Sequence, residues 1–435
     1  MSDLINAITK EVRRNHDYLL ELIRQTIRIG SYSGESEEIQ LLLQEKMAEL
    51  GMETRLIKID PEKLEKYGGF SYDGYPFDRR YILTGVKKGG GTGGGLKGKA
   101  LILNGHVDIV PPGDPALWEG DPLSGCYEQG KIYGRGSVDM KSGLSAALAA
   151  VKILRDIGFN KYGNIIISSV CGEETGGCGA FAAVEDGLTA DGCIILEPTK
   201  LKICHIQSGC HTFKLKLKGR SAHAAMAYKG INVIDKFYLI YEALKEMDRR
   251  RHQRFSGESA RFYENPSNIA PFSLGKITAG EWPSSVPDRL EADGRMGIFP
   301  GESVGEMHGE FEETVMSAAA ADPWLAKNRP VIEWYEGLFE PAVTDIDSDL
   351  VKTLAESHYG TFSRDVQFEG APYGSDMRIF TIYGGIPTVL YGPGDVSLAH
   401  TVNENIEMNE VLDAVCSLAL MICRWCGGDF RSTGS

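Results

Sequence analysis

Long apolar runs are absent from this sequence of 435 residues. A helix that crosses a bilayer needs about 18 or more consecutive apolar residues, and no stretch reaches that length. The first 14 residues include Asp3 and Glu11 and lack the continuous apolar segment of a signal peptide. We therefore expect no membrane partner and a cytoplasmic location.

Positive charge is also scarce. Lysine and arginine together number 46, against 60 aspartate and glutamate residues, and the formal net charge is −14 at pH 7. A surplus of negative charge repels the phosphates of nucleic acids and the headgroups of anionic lipids. We therefore expect no nucleic acid partner.

Cysteine is too sparse for a disulfide framework, since the chain has nine, an odd number. Five of them fall in one apolar region: Cys171, Cys178, Cys193, Cys204 and Cys210. This distribution predicts buried thiols in a reducing compartment, in line with a cytoplasmic location. Cys423 and Cys426 have C-x-x-C spacing but no second pair, and we interpret them as two thiols on one helix.

A phosphate-binding motif is missing from the one glycine-rich run, Gly89 to Gly95. The run lacks the Gly-Lys-Ser/Thr ending of a P-loop, and the residues after it lead to a strand instead of a helix. We interpret it as a flexible hairpin loop.

The chain is long enough for more than one domain of roughly 150 residues. Apolar spacing from Leu4 to Ile27 predicts one helix, and residues 36–50 predict a second. Apolar runs at residues 99–103, 164–170 and 192–196 alternate with helical stretches such as residues 141–157. This alternation predicts an α/β fold with a mixed, largely parallel sheet.

The pattern changes after Ser208, where Phe213, Leu215 and Leu217 alternate with lysines, as in a sheet with one face in water. Helices and strands continue to near Leu338, and helix–strand alternation then returns. We predict a second domain at residues 209–338, inserted into a first domain made of residues 1–208 and 339–435.

The candidate chemistry begins with His106 and Asp108 at the end of an apolar strand. A spacing of two places both side chains on the same face of a strand. A metal-binding histidine commonly donates its other ring N–H to a nearby oxygen, and Asp108 is placed for that role. The pair alone is equally consistent with a structural histidine.

Further candidate ligands follow along the chain. Asp139 lies in a glycine-rich loop before a helix, where a carboxylate can bridge two cations or simply stabilise the helix N-terminus. Glu173 and Glu174 follow a buried strand, Glu197 ends the next strand, and His400 lies in a loop near the C-terminus. Open α/β sheets gather ligand sites at the carboxyl ends of their strands. Two histidines and three carboxylates suit two Zn²⁺ ions per subunit, and Co²⁺ or Mn²⁺ also fit such nitrogen and oxygen donors.

Together these segments resemble the dinuclear zinc hydrolases that include acetylornithine deacetylase, succinyl-diaminopimelate desuccinylase, aminoacylase and glutamate carboxypeptidase. The resemblance covers nearly the whole chain and implies a zinc-exopeptidase-like catalytic domain, with the insert as a βαββαβ lid that forms a homodimer. It implies that His106 and Glu197 bind one zinc, that Glu174 and His400 bind the other, and that Asp139 bridges them. It also implies that Glu173 is the general base and Asp108 the partner of His106.

The same resemblance extends to positions that would act on the substrate. His223 matches the histidine that reaches the active site of the partner subunit, and Arg295 matches an arginine that holds a substrate carboxylate, for which a planar guanidinium is suited. Gly374 and Ser375 open a segment that resembles a late glycine-rich substrate loop.

Two stretches depart from well-defined desuccinylases, residues 281–288 and the extended region 67–80, and are closer to a deacylase or deformylase branch. The expected activity is metal-dependent amide hydrolysis of a small N-acyl amine, most simply an N-acyl amino acid, with Glu173 moving the proton. The open alternatives are a dipeptidase or carboxypeptidase, a non-peptide C–N hydrolase such as a deformylase or aminohydrolase, and an inactive binding or scaffold protein.

Overall fold

The structure is a computed structural model that describes residues 2–32, 34–90, 98–161, 163–255, 258–266 and 269–429. Residues 91–95 of the predicted glycine loop lie outside the described residues. The described helices are α1 Ser2–Arg14, α2 His16–Arg28, α3 Glu37–Glu49, α4 Ser142–Asp156, α5 Cys178–Glu185, α6 Val233–Arg254, α7 Val304–Ala320, α8 Asp349–Phe362 and α9 Met408–Cys426. The described strands are β1 Glu53–Lys58, β2 Tyr81–Lys87, β3 Leu101–His106, β4 Cys126–Glu128, β5 Lys131–Tyr133, β6 Asn160–Lys161, β7 Ile165–Val170, β8 Gly192–Ile195, β9 Ile203–Gln207, β10 Gly209–Lys218, β11 Phe272–Ala279, β12 Arg289–Ile298, β13 Val331–Phe339, β14 Ala342–Val343, β15 Phe368–Ala371, β16 Thr388–Leu390, β17 Asn405–Glu407 and β18 Gly428–Asp429.

The chain divides into two compact units. The first comprises Met1–His205, Thr344–Glu369 and Ser375–Ser435, and the second comprises Ile206–Val343 and Gly370–Gly374. The domain boundaries predicted at 208/209 and 338/339 both fall inside the second unit, and they stay a prediction.

The first unit contains a mixed sheet with neighbouring strands in the order β1-β2-β7-β3-β8-β16. Its parallel part is the central group β7, β3, β8 and β16, whereas β1 and β2 join it antiparallel. Every residue of β3, β7 and β8 is buried, as expected for parallel strands covered on both faces. The predicted α/β fold with a mixed sheet is confirmed.

The helical segment at the N-terminus differs from the prediction of one continuous helix. The chain forms two helices, α1 and α2, separated at Asn15, whose side-chain amide donates to the carbonyl of Glu11 at 2.9 Å. Asparagine competes for backbone hydrogen bonds and is a poor residue for a helix interior. Apolar spacing continues across the break because both helices bury a face, which concealed the break from sequence periodicity.

The second unit has the order β-α-β-β-α-β expected for the insert, with an antiparallel sheet in the order β11-β12-β10-β13. Phe213, Leu215 and Leu217 of β10 pack into a core shared with α6 and α7, while the intervening lysines lie partly or fully in solvent. The two-residue alternation therefore marks the buried face correctly.

The nine cysteines are free thiols, and Cys126 is the exposed one. Cys423 and Cys426 both lie on α9, as predicted. Among the helices of the described residues, none combines the length and apolar character needed to cross a membrane.

Candidate metal centre

The carboxyl ends of three neighbouring parallel strands supply four of the candidate residues. His106 is the last residue of β3, Glu173 and Glu174 follow β7, and Glu197 follows β8. Because β3 pairs with β7 on one side and with β8 on the other, these ends lie side by side. The fold therefore brings together residues that are up to 91 positions apart.

Asp139 reaches the same place from a tight turn, Ser137–Lys141, that leads into α4. The turn is preceded by Gly136 with φ 83°, and a side chain there would meet Ile109 at 2.6 Å. The peptide bond between Asp139 and Met140 is cis. Lys141 is buried and donates to the carbonyls of Thr26 and Ile29 at 2.9 and 2.8 Å, which fixes the end of the turn.

One half of the site is centred on His106, which is buried. Its Nε2 lies 2.9 Å from Oδ1 of Asp139 and 3.9 Å from Oε1 of Glu197. Its Nδ1 lies 3.0 Å from the main-chain carbonyl of Asp108 and 3.6 Å from the carboxylate of the same residue. The carbonyl of Asp108 is thus the nearer acceptor for the ring N–H, and Nε2 faces the acidic cluster.

The other half is centred on His400, whose side chain is about half exposed. Its Nε2 lies 2.9 Å from Oε1 of Glu174 and 3.4 Å from Oδ2 of Asp139. Asp139 therefore directs one carboxylate oxygen toward each histidine. The two halves share this residue and no other of those measured.

The electrostatics reflect the crowding of buried charges. Burial would lower the pKa of His106, but its hydrogen bond to Asp139 and the charge of Asp108 raise it well above the ordinary value. Hydrogen bonds to Asp139 and Glu174 raise the pKa of His400 to about 10. Burial raises the pKa of Glu174, and that of Glu173 more strongly. These carboxylates are packed so closely that their negative charges need compensating positive charge.

The donor set fits divalent cations. His106, Asp139 and Glu174 each offer one ligand atom, and these atoms lie within 4.8 Å of one another. The carboxylate of Asp108 donates structure on one side, since its Oδ2 accepts the N–H of Glu174 at 3.2 Å. Its Oδ1 is buried and accepts no hydrogen bond from the described residues. Imidazole nitrogens and carboxylate oxygens are the ligands that zinc and similar ions prefer in open sites.

The predicted substrate residues are divided between the two units. His223, Arg295 and Gly374 belong to the second unit, and Ser375 belongs to the first. His223 is exposed and its Nδ1 accepts the N–H of Ala225 at 3.1 Å. Arg295 is exposed on β12. Ser375 is buried and its hydroxyl accepts the N–H of Met377 at 3.2 Å.

The segment of residues 67–80, here called the strap, contacts the loop that carries Glu173 and Glu174. Asp73 accepts hydrogen bonds from Arg80 at 2.9 Å and from the hydroxyl of Thr175 at 2.5 Å. Arg80 is buried and also donates to the thiol of Cys178 at 3.3 Å. Sequence reasoning flagged the strap as unusual but missed these contacts, for which the only signal was an acidic and a basic residue in an otherwise aromatic stretch.

Two more buried residues were missed. Arg378 donates to the carbonyl of Gly176 at 2.8 Å and to that of Gly69 at 3.4 Å, so it links the same loop to the strap. Glu404 is fully buried beside the turn that carries Asp139. The available signal for Glu404 was its place four residues after His400.

Comparison with known proteins agrees with this geometry. Residues 102–424 match the model of peptidase family M20/M25/M40. N-formyl-4-amino-5-aminomethyl-2-methylpyrimidine deformylase of Halalkalibacterium halodurans is 31% identical over 346 residues, which cover 75% of this chain and 79% of that protein. Acetylornithine deacetylase of Edwardsiella ictaluri is 27% identical over 349 residues, covering 78% and 82%.

Solved structures share the fold. Aminopeptidase PepT of Bacillus cereus superimposes with a TM-score of 0.71 at 18% identity, covering 94% of this chain and 99% of that one. YXEP of Bacillus subtilis, described as a dinuclear metal-binding peptidase of the M20 family, gives a TM-score of 0.65 at 14% identity, covering 94% and 98%. The chain therefore belongs to peptidase family M20/M25/M40 and is a hydrolase of amide-type carbon–nitrogen bonds.

Proposed function

We propose that this protein uses two divalent cations to hydrolyse a small N-acyl amine. The observation that carries the proposal is the position of Asp139, whose two carboxylate oxygens face the Nε2 atoms of His106 and His400 at 2.9 and 3.4 Å. Glu197 would complete the first cation site and Glu174 the second. A carboxylate shared between two histidine-containing halves is the arrangement that a pair of bridged cations requires.

The proposed ions are zinc, and cobalt or manganese would suit the same donors. When bound, the cations would lower the pKa of a water molecule and stabilise negative charge on the acyl oxygen. Asp108 would hold His106 in the tautomer that leaves Nε2 free to bind a cation, since the carbonyl of Asp108 lies 3.0 Å from Nδ1.

Glu173 would move the proton. It is buried, lies next to Glu174 in the chain, and makes no contribution to the two histidine contacts described above. It would take a proton from water as the water oxygen bonds to the acyl carbon, and would give that proton to the nitrogen as the C–N bond breaks. The products are a carboxylic acid and a free amine. An amine anion is too poor a leaving group to depart without that proton.

The proposed substrate is a formyl, acetyl or succinyl amide of a small amine. The relatives named as a deformylase and as an acetylornithine deacetylase support this class. Arg295, Gly374 and Ser375 are proposed to contact the substrate. A panel of N-formyl, N-acetyl and N-succinyl amines, with dipeptides included, tests the proposal by the free amine released. Turnover of dipeptides alone would replace it with a dipeptidase function.

We also propose that the second unit is a lid that joins two copies of the chain, with a catalytic domain on either side of it in sequence. The outer face of α6 exposes Ile234, Tyr238 and Leu239, and β11 ends the four-stranded sheet with Ile277 in solvent. A second copy would cover these apolar side chains, and His223 would enter its partner's site. Light scattering of the purified chain at several concentrations measures the mass, and a monomer at all of them contradicts the proposal.

A further inference from the structure

We propose that Glu404 is a positioning residue that holds Asp139 in place relative to His400, with Arg135 as its charge partner. The inference rests on the proposed metal centre, because it concerns the two chain segments that supply its shared ligand and its exposed histidine. Those segments, residues 134–139 and 400–404, are far apart in sequence. A dinuclear site depends on their separation to within a few tenths of an ångström.

The carboxylate of Glu404 is fully buried and bonds to the Asp139 turn with both oxygens. Oε1 accepts the N–H groups of Val138 at 2.9 Å and of Asp139 at 3.3 Å. Oε2 accepts a charged hydrogen bond from Arg135 at 2.6 Å. The carbonyl of Glu404 in turn accepts the N–H of Gly134 at 2.9 Å. The residue is therefore bound to the beginning, middle and end of the segment that carries Asp139.

The same residue closes the loop of His400. After Glu404 the chain enters β17, which pairs antiparallel with β5, the strand that leads into the Asp139 turn. The four-residue step from His400 to Glu404 is thus anchored at one end to β5, and its other end is the imidazole that lies 3.4 Å from Asp139. Loss of the Glu404 contacts would leave the main chain of Asp139 without the acceptor that orients it.

The charge of this arrangement explains why an anion is needed. Arg135 is buried, and its guanidinium also stacks over the ring of Trp118, 5.4 Å from the centroid. A neutral glutamine at position 404 has one acceptor oxygen, so it can satisfy either Arg135 or the two main-chain N–H groups. In both orientations a buried donor is left without its acceptor.

The test compares Glu404→Gln with Glu407→Gln. Glu407 lies on β17, is about half exposed, and pairs with Lys131 at 3.2 Å instead of with the Asp139 turn. Each full-length variant is stripped of metal with a chelator and titrated with Co²⁺, which is followed by its visible absorption bands and by calorimetry. Circular dichroism and urea unfolding measure how much of each variant is folded under the titration conditions.

We expect the wild type and Glu407→Gln to bind two Co²⁺ ions with the same spectrum. We expect folded Glu404→Gln to bind at least one of the ions about 10- to 100-fold more weakly, with shifted bands, which is typical when a residue that orients a ligand is lost. If Glu404→Gln does not fold, Glu404→Asp replaces it under the same criteria, since it keeps the charge but shortens the reach to Val138.

A folded variant with the titration curve and spectrum of the wild type overturns the role of Glu404 and leaves the proposed metal centre intact. Lower stability with unchanged Co²⁺ affinity has the same meaning, because it shows a purely structural residue. A wild-type chain that binds no Co²⁺ overturns the proposed metal centre and this inference together.

Discussion

The hydroxyl of Thr175 donates a hydrogen bond of 2.5 Å to the carboxylate of Asp73, which lies 102 positions earlier in the chain. Thr175 directly follows Glu174, the proposed ligand of one cation. The strap thereby contacts the loop on which both the proposed base and a proposed ligand lie. Removing this contact tests whether the strap helps to orient them.

We expect Thr175→Val to lower kcat about tenfold, because Asp73 then keeps its partner Arg80 but loses the bond that fixes the loop, and errors of loop position reduce catalysis. The buried Asp73 oxygen left without a donor should also cost about 1–3 kcal/mol of unfolding free energy. Steady-state kinetics and urea unfolding measure the two effects. Thr175→Ser keeps the hydroxyl and is the control, and equal losses in both variants would contradict the assignment.

Glu173→Gln should keep its metal and lose turnover. The amide cannot accept the proton from water, and a positioned general base contributes about 10²–10⁴-fold to rate. Metal analysis and kinetics on the same preparation separate binding from chemistry. Glu128→Gln, a change on exposed β4, serves as the matched control. Activity of Glu173→Gln within a few-fold of wild type would show that another group moves the proton.

Metal removal should abolish activity reversibly. Because the carboxylates of Glu174, Glu197 and Asp139 lie within a few ångströms of His106 and His400, the stripped protein should regain two Zn²⁺ ions per chain with its activity. Elemental analysis before and after chelation measures the content. A fully active protein without bound metal would refute the proposed mechanism, and an inactive scaffold would need no metal at all.

Two inactive variants should restore activity when mixed if His223 acts in the partner's site. His223→Ala homodimers are expected to fail, because the acyl oxygen loses a hydrogen-bond donor, a loss that typically costs about 10²–10³ in rate. After subunit exchange with Glu173→Gln, one site of each mixed dimer contains both residues and partial activity should return. Proven exchange, seen by mass, without recovered activity would place His223 outside a shared site.

His358 predicts a fall in stability in mildly acidic solution. Burial, together with the positive charge of Arg364, lowers the pKa of His358 to about 4, and its Nδ1 lies 3.0 Å from the hydroxyl of Tyr391. The unfolded histidine binds a proton near its ordinary pKa of about 6.5, so between about pH 6.5 and 4 the unfolded state holds more protons. The contribution of this group is therefore present above pH 6.5 and lost as the pH falls.

Urea unfolding from pH 7.5 to 5 measures this dependence. His358→Gln should be less stable at pH 7.5 but should show a shallower decline, since it has no proton to take up. His16→Gln, at a partly exposed site on α2, provides the comparison. An identical slope in wild type and His358→Gln would mean that other groups cause the decline.

Much of the fold was accessible from local patterns. The apolar runs around β3, β7 and β8 and the alternation at Phe213, Leu215 and Leu217 predicted the buried strands and the face of the inserted sheet, because burial acts on neighbouring residues at a fixed period. The break at Asn15 was not accessible, because both helices present apolar residues at similar spacing. The family resemblance was confirmed by the match over residues 102–424.

The sequence by itself determined which groups are available for chemistry and that several of them follow strands: His106, Asp139, Glu173, Glu174, Glu197 and His400. Only the tertiary structure decided that Asp139 faces a histidine with each oxygen, and that Asp73 and Glu404 contact the loops that carry these groups. The reason is that such contacts join segments up to 266 positions apart. They depend on strand order and on the filling of a buried space, and no local period in the chain encodes either of these.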